Sequence, residues 1–216
     1  MATPLASSPD IPTLADLLDR LGGISAERVR YYPLPGTATD QDVIDIEQRE
    51  NRLCELVDGV LVEKPMGYRE SFLAGIILTL LNNFVMPRKL GIVTGSDGMI
   101  RLFPGLIRIP DVAFVSTAHL PGGRLPKEAI PTLSPDLAVE VLSKSNTRRE
   151  MQRKLREYFA SGTRLAWFVD LADRTVSVYH DPEHCTILAE DSLLAGEDVL
   201  PGFTLDLKSL FANLES

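Results

Sequence analysis

Two acidic residues interrupt apolar strands: Asp111 in RIPDVAFV and Glu140 in SPDLAVEVLS. A carboxylate among Val, Ile and Phe is costly unless a cation or strong donors offset it. The offset is either a divalent metal or a structural ion pair, with Arg108 or Arg101 as partner. Alternation along 136–142 puts Asp136, Ala138, Glu140 and Leu142 on one face, against Leu137, Val139 and Val141 on the other. Glu140 thus has small or acidic neighbours, which suits a cleft better than a sealed core. Asp111 shares a face with Ile109 and Ala113 and follows Pro110, which removes a ladder donor and distorts the edge. Two carboxylates converging from neighbouring strands form a hard-oxygen site, favouring Mg²⁺ or Mn²⁺ over Zn²⁺. Such an ion activates water and neutralises charge developing on a phosphate. A base follows. At about 100° per residue, Met151, Leu155, Tyr158 and Phe159 form an apolar arc with Lys154 at its edge. An ammonium there either reaches the cleft, to stabilise a phosphate or orient water, or snorkels to solvent. Arg149, Arg153 and Arg156 fall on the other side, as a solvated face or a distant phosphate contact.

The elements that must position these groups can be read from periodicity and turn residues. Residues 1–11 read as a loose tail. Thr13 to Leu21 has helical spacing stopped by Gly22-Gly23, and Asp40 to Asn51 is a second, polar helix. The core starts near Arg52, giving a division into an N-terminal tail and helical arm (1–51) and a core domain (52–216). Leu53–Val57 and Val60–Glu63 flank Asp58-Gly59 as a hairpin. Glu70–Val85 is an apolar helix stopped by Pro87. Gly91–Thr94 and Met99–Phe103 are short strands around Ser96-Asp97-Gly98, and Leu106–Val115 is one strand with an edge or bulge at Pro110. After the proline-rich stretch 121–135 come strand Asp136–Leu142, helix Arg148–Ala160 ended by Gly162, and a hairpin of Leu165–Asp170 with Thr175–Tyr179. A strand near Thr186–Leu188, the segment LPGFTL and a docking segment Leu207–Leu210 complete the chain. Strands and helices mixed in this way give an α/β or α+β fold.

Composition narrows the classes. The 216 residues suffice for one domain with a real core. The strongly apolar run Phe72–Leu81 is about half of what a membrane span needs, so no membrane partner is expected. The start of the chain lacks a basic and apolar leader, which points to the cytoplasm. Cys54 and Cys185 have no metal spacing and read as two buried free thiols; His119, His180 and His184 read as surface residues. With 22 basic and 30 acidic residues the net charge is -8. That disfavours tight non-specific nucleic-acid binding, but not an enzyme that brings cations of its own to the phosphate.

The ordered set PDV, PDLAVEVLS, KLREYFASG and LAWFVD, with CELVDG upstream and LPGFTL downstream, resembles the putative restriction endonuclease family often called Uma-two. That family belongs to the PD-(D/E)XK nuclease superfamily, and the resemblance spans roughly 52–206. It implies a restriction-endonuclease-like mixed sheet flanked by helices, with acids binding Mg²⁺ for DNA hydrolysis. Matched residue by residue, Asp111 is the PD aspartate, Glu140 the second metal acid and Glu55 an accessory acid. Where the superfamily places a lysine two residues after the second acid, this chain has Leu142, and Lys154 looks like the migrated replacement; Lys144 falls in the loop beyond the strand. Where many relatives have a histidine early in the first core helix, this chain reads GYRES. Glu70 there is either a helix-borne metal acid or a residue favouring the helix N-terminus. The resemblance leaves two functions open: a Mg²⁺-dependent endonuclease acting on DNA, or a nuclease-fold module that binds without turnover. A homodimer is expected from the apolar hairpins, from LPGFTL and by analogy with nucleases that cut both strands.

Overall fold

The computed structural model describes residues 13–65 and 67–215, so the expected tail 1–11 lies outside the described residues. Helix α1 (Leu14–Arg20) is capped by the Thr13 hydroxyl, which accepts from the Asp16 N–H. Helix α2 (Asp40–Glu50) opens on a Thr39/Asp42 capping box and ends at Asn51 in the left-handed region. Strands β1 (Cys54–Val57) and β2 (Val60–Glu63) form the expected hairpin. Its turn residues Asp58 and Gly59 both have positive φ (53° and 73°), as a two-residue turn of this hand requires. A Cβ on Gly59 would lie 2.7 Å from the Gly36 backbone, so glycine is also needed for close approach. The helices pack against this hairpin: Val43 and Ile46 of α2 with Cys54, Leu56 and Leu61, and Leu17 with Leu21 and Ile24 against Val57, Val60 and Val62.

Helix α3 (Tyr68–Arg88) is longer than expected and takes Pro87 into its last turn. Pro87 withholds a hydrogen bond from the Asn83 carbonyl, but that turn is exposed and water can substitute. At 21 residues α3 is long and apolar enough to cross a membrane by length and composition, unlike the shorter run read from sequence. Leu73, Ala74, Ile77, Leu81 and Val85 of α3 nevertheless pack in the main core. Strands β3 (Gly91–Thr94) and β4 (Ile100–Phe103) enter different sheets and do not pair across Ser96-Asp97-Gly98. The expected single strand 106–115 is also two: β5 (Leu106–Arg108) pairs with β1 and β4, and β6 (Val112–Ser116) pairs with β3. Between them Ile109-Pro110-Asp111 carries the chain from one sheet to the other.

Strand β7 (Leu137–Leu142), helix α4 (Arg148–Ser161) and strand β8 (Leu165–Asp170) form a crossover that makes β7 and β8 parallel. Thr147 caps α4 by accepting from the Glu150 N–H at 3.0 Å, and Gly162 ends it at φ 116°. Strands β9 (Thr175–Tyr179) and β10 (Cys185–Ala189) continue antiparallel. A short pair, β11 (Leu193–Ala195) and β12 (Thr204–Asp206), and helix α5 (Leu207–Ala212) close the fold. The architecture is mixed α+β. One sheet runs β2-β1-β5-β4, and the main sheet runs β10-β9-β8-β7-β6-β3. Helices α3 and α5 cover the face bearing Val112, Phe114, Leu137, Val139 and Trp167, and α4 covers the other face through Met151 and Leu155 on Ala166 and Phe168. Cys54 is buried but Cys185 is exposed on an edge strand, correcting the expectation of two buried thiols. Leu200, Phe203 and Leu205 of LPGFTL face the main core, so the apolar side chains of that segment pack inward.

Candidate active site

Asp111 stands where the chain crosses between sheets, beside β7. Its N–H donates to the Val139 carbonyl (3.0 Å), and its Oδ2 accepts from the Val141 N–H (2.7 Å). Its Oδ1 lies 2.9 Å from the Lys64 ammonium. Lys64 also donates to the Ile109 and Ser96 carbonyls at 2.8 and 3.2 Å, which uses its three donors. The partner of Asp111 is thus Lys64, and neither arginine considered from sequence. Arg108 goes to Glu55 and Glu157, and Arg101 to Asp40.

Glu140 points to the α4 side of β7, as strand alternation requires. Its Oε1 accepts from the Tyr158 hydroxyl at 2.5 Å and from the Lys154 ammonium at 3.2 Å. Lys154 sits closer still to a second carboxylate, 2.9 Å from Glu55 Oε1. Glu55 in turn takes Arg108 Nη1 at 2.7 Å and the Ile109 N–H at 3.2 Å. Burial alone would raise the Glu55 carboxyl, but Lys154 and Arg108 hold it well below the ordinary carboxylate range. Glu140 goes the other way. Burial pushes its carboxyl up, Lys154 pulls it down only in part, and the nearby Asp111 charge raises it further. The Lys154 ammonium, despite full burial, is held charged by Glu140 and Glu55.

Asp111, Glu140, Val141 and Lys154 line one cavity of about 30 Å³, enough for a single ion or water. Lys64 and Glu70 line it too. Glu70 folds back over Gly67, where a Cβ would lie 1.9 Å from Glu70 Oε2. Among the described residues its carboxylate has no ion pair. Glu55 lies behind Lys154 and does not reach the cavity wall. No group of three or more His, Cys, Asp or Glu side chains stands close enough to hold an ion among the described residues. The donors that do converge, two carboxylates on hard oxygens with no sulfur or imidazole, fit a small divalent cation that keeps several waters. The Asp111 charge raises the Glu140 carboxyl, a repulsion between the two acids that such a cation would relieve.

A family model described as "Uma2: Putative restriction endonuclease" matches residues 40–208. The chain belongs to this family. The match begins at α2, earlier than the resemblance visible from residue 52. Among solved structures, a "putative nuclease belonging to DUF820" from Anabaena variabilis ATCC 29413 aligns at 21% identity and TM-score 0.66, over 74% of this chain and 90% of that one. At that identity the likeness concerns the fold. A search of curated proteins finds no match.

The Uma2 chain thus gathers Asp111, Glu140, Lys154 and Glu70 at one cavity and sets Glu55 behind it. Lys154, at the margin of the α4 arc by phase, does not snorkel to solvent but is buried between two acids. Tyr158, counted as apolar from its phase, turns its hydroxyl onto Glu140, and its position four residues after Lys154 was the available signal. Lys64 follows the apolar strand VLVE directly, with nothing in its spacing to link it to residue 111. Two of these α4 arginines are also more committed than a solvated face, whereas Arg156 stands exposed. Arg149 pairs with Asp19, and Arg153 binds Asp58, Glu157 and the Arg20 carbonyl.

Proposed function

We propose that this protein is a Mg²⁺- or Mn²⁺-dependent nuclease hydrolysing DNA phosphodiester bonds. The observation that carries the reading is the convergence of Asp111, from the passage into β6, and Glu140, from the neighbouring strand β7, on one ion-sized cavity that Lys154 also lines. Membership of a family described as restriction endonucleases supports it. A divalent ion bound there would lower the pKa of its own water and neutralise charge building on the phosphate. The chain's own residues do the rest. Asp111 and Glu140 hold the ion, and the Val141 N–H fixes the Asp111 carboxylate. Tyr158 orients Glu140 through Oε1. Lys154 keeps a positive charge beside the reacting phosphate, and Glu55 with Arg108 keeps Lys154 in place and protonated. Glu70 stands at the cavity as a further oxygen donor to water or ion. Twofold self-association belongs to the same reading, since each chain carries one such pair of acids.

One observation favours a binding module without turnover: Lys64 and Lys154 already compensate Asp111 and Glu140 without an ion. Titration calorimetry with Mn²⁺ separates the two, using the wild type and Glu140→Gln. The expected result is measurable binding that the substitution abolishes while circular dichroism stays unchanged. Binding undiminished in Glu140→Gln would sink the site assignment. With Mn²⁺ bound, linear, supercoiled and single-stranded DNA should be cut, and failure to cut any of them would leave the binding module standing.

A further inference from the structure

We infer that the nucleic-acid backbone leaves the acid cavity along one wall, built by Arg69 at the start of α3 and Lys144 in the loop after β7. This rests on the nuclease reading and adds to it the surface that holds the polyanion. A cleft of about 580 Å³ adjoins the acid cavity and shares Pro65, Gly67, Glu70 and Ser143 with it. Of the cavities near the acids, it is this cleft whose lining carries exposed cations, Arg69 and Lys144. Neither has an ion pair or hydrogen bond from its side chain among the described residues. Its acidic members are Glu70, on the side it shares with the acid cavity, and Asp170, whose Oδ1 accepts from the Ala172 and Asp173 N–H groups of its own turn.

The contrast with α4 decides the direction. That helix carries four arginines, but Arg149 and Arg153 are neutralised by Asp19, Asp58 and Glu157, and the exposed Arg148 and Arg156 line neither the acid cavity nor the cleft beside it. A chain with net charge -8 repels a polyanion in general. Uncommitted cations beside the acids therefore count for more than cations elsewhere. The Lys144 loop is also held in shape: the Ser143 N–H donates to Asn146 Oδ1 at 2.9 Å, and the Ser143 and Ser145 hydroxyls are 2.8 Å apart. Its lysine is thus presented to the cleft from a fixed backbone. Contacts of this kind bind phosphate without reading sequence.

The test is fluorescence polarisation of short labelled duplex DNA, single-stranded DNA and single-stranded RNA with the full chain in EDTA, over a range of salt. Arg69→Ala/Lys144→Ala should bind at least about tenfold more weakly, with a salt slope shallower by about two. Arg156→Ala/Lys208→Ala, which removes two exposed cations elsewhere, should match the wild type. Dependence on Arg69 and Lys144 with any of the three polymers supports the wall. Wild-type affinity and slope in the first variant, an equal loss in the second, or no salt-dependent binding by the wild type overturns it. Cleavage with Mn²⁺, scored on the same preparations, keeps the two ideas apart. Cutting by a protein whose binding ignores Arg69 and Lys144 would reject the wall alone. Wall-dependent binding without cutting would reject the nuclease reading alone.

Discussion

Glu140 and Glu55 share one lysine, yet their carboxyls are shifted in opposite directions. The difference lies in what else each one touches. Glu55 has Arg108 and a backbone N–H in addition, whereas Glu140 has a neutral hydroxyl and the Asp111 charge nearby. Around the cavity the cations Lys64, Lys154, Arg108 and Arg153 face four carboxylates, those of Asp111, Glu140, Glu55 and Glu157. Glu140→Gln removes the carboxylate charge that burial and the neighbouring Asp111 disfavour and keeps an acceptor for Tyr158, so it should stabilise the ion-free protein at pH 8. The sign follows from linkage. Between the ordinary carboxylate pKa and Glu140's raised one, the folded protein holds a proton that the unfolded chain releases. Raising the pH through that window weakens the wild type, and the gain of the variant should vanish as pH falls below it. Glu55→Gln should do the reverse. It strips Arg108 and Lys154 of their shared partner and should cost about 3–5 kcal/mol at pH 7. The stabilisation from Glu55 is present above the ordinary carboxylate value and lost as pH falls towards its depressed one. Urea unfolding across pH 4–8 checks the Glu140 window and, at pH 7, the cost of Glu55→Gln, and a Glu140→Gln variant less stable than wild type at pH 8 would contradict the account of the site as strained by charge.

At the scale of elements, the parts legible in the sequence were those set by local rules. Asp58-Gly59 announced a hairpin, Gly162 ended α4, and alternation placed Glu140 on the α4 face, because turn chemistry and side-chain phase depend on near neighbours. What stayed hidden depends on which sheet a strand joins. Ile109-Pro110-Asp111 reads as the middle of one strand, yet it is the passage between two, and that passage brings Lys64 and Glu55 to the acids. The small pair β11 and β12 was missed because three-residue strands carry no period. The N-terminal segment is likewise tied to the site in ways its composition did not show. Arg28 grips Glu150 of α4 at 2.7 and 3.0 Å, with both side chains buried. The Gly22 carbonyl accepts from the Thr147 hydroxyl, and a Cβ on Gly22 would meet the Glu150 N at 2.7 Å. These contacts fix the first turn of the helix that carries Lys154. Arg28→Ala leaves a buried carboxylate unpaired and should cost about 3–5 kcal/mol in urea unfolding, with most of it recovered by Arg28→Met combined with Glu150→Leu. A loss under about 1 kcal/mol in the single variant would show the pair to be ornamental.

For the whole molecule, the question is how one pair of acids per chain could serve a duplex. LPGFTL, part of the reason for expecting a homodimer, turns inward, with Leu200, Phe203 and Leu205 in the main core. Apolar surface remains elsewhere: Tyr68, Phe72 and Met86 stand exposed along α3, and Ile187 on the edge strand β10. A soluble monomer seldom leaves large side chains aligned on one helix without use, so twofold association stays within the proposed function on different ground from that read in the sequence. The assembly and the products of cutting must then agree. Sedimentation velocity at micromolar concentration should give twice the chain mass. On supercoiled plasmid with Mn²⁺, a twofold enzyme cuts both strands in one encounter and linear product should appear from the start. A single chain works one strand at a time, so nicked circles should build up first. A sedimenting mass of one chain together with nicked circles that accumulate before linear DNA would show that each acid pair acts alone, and the homodimer would have to be abandoned even if the nuclease were not.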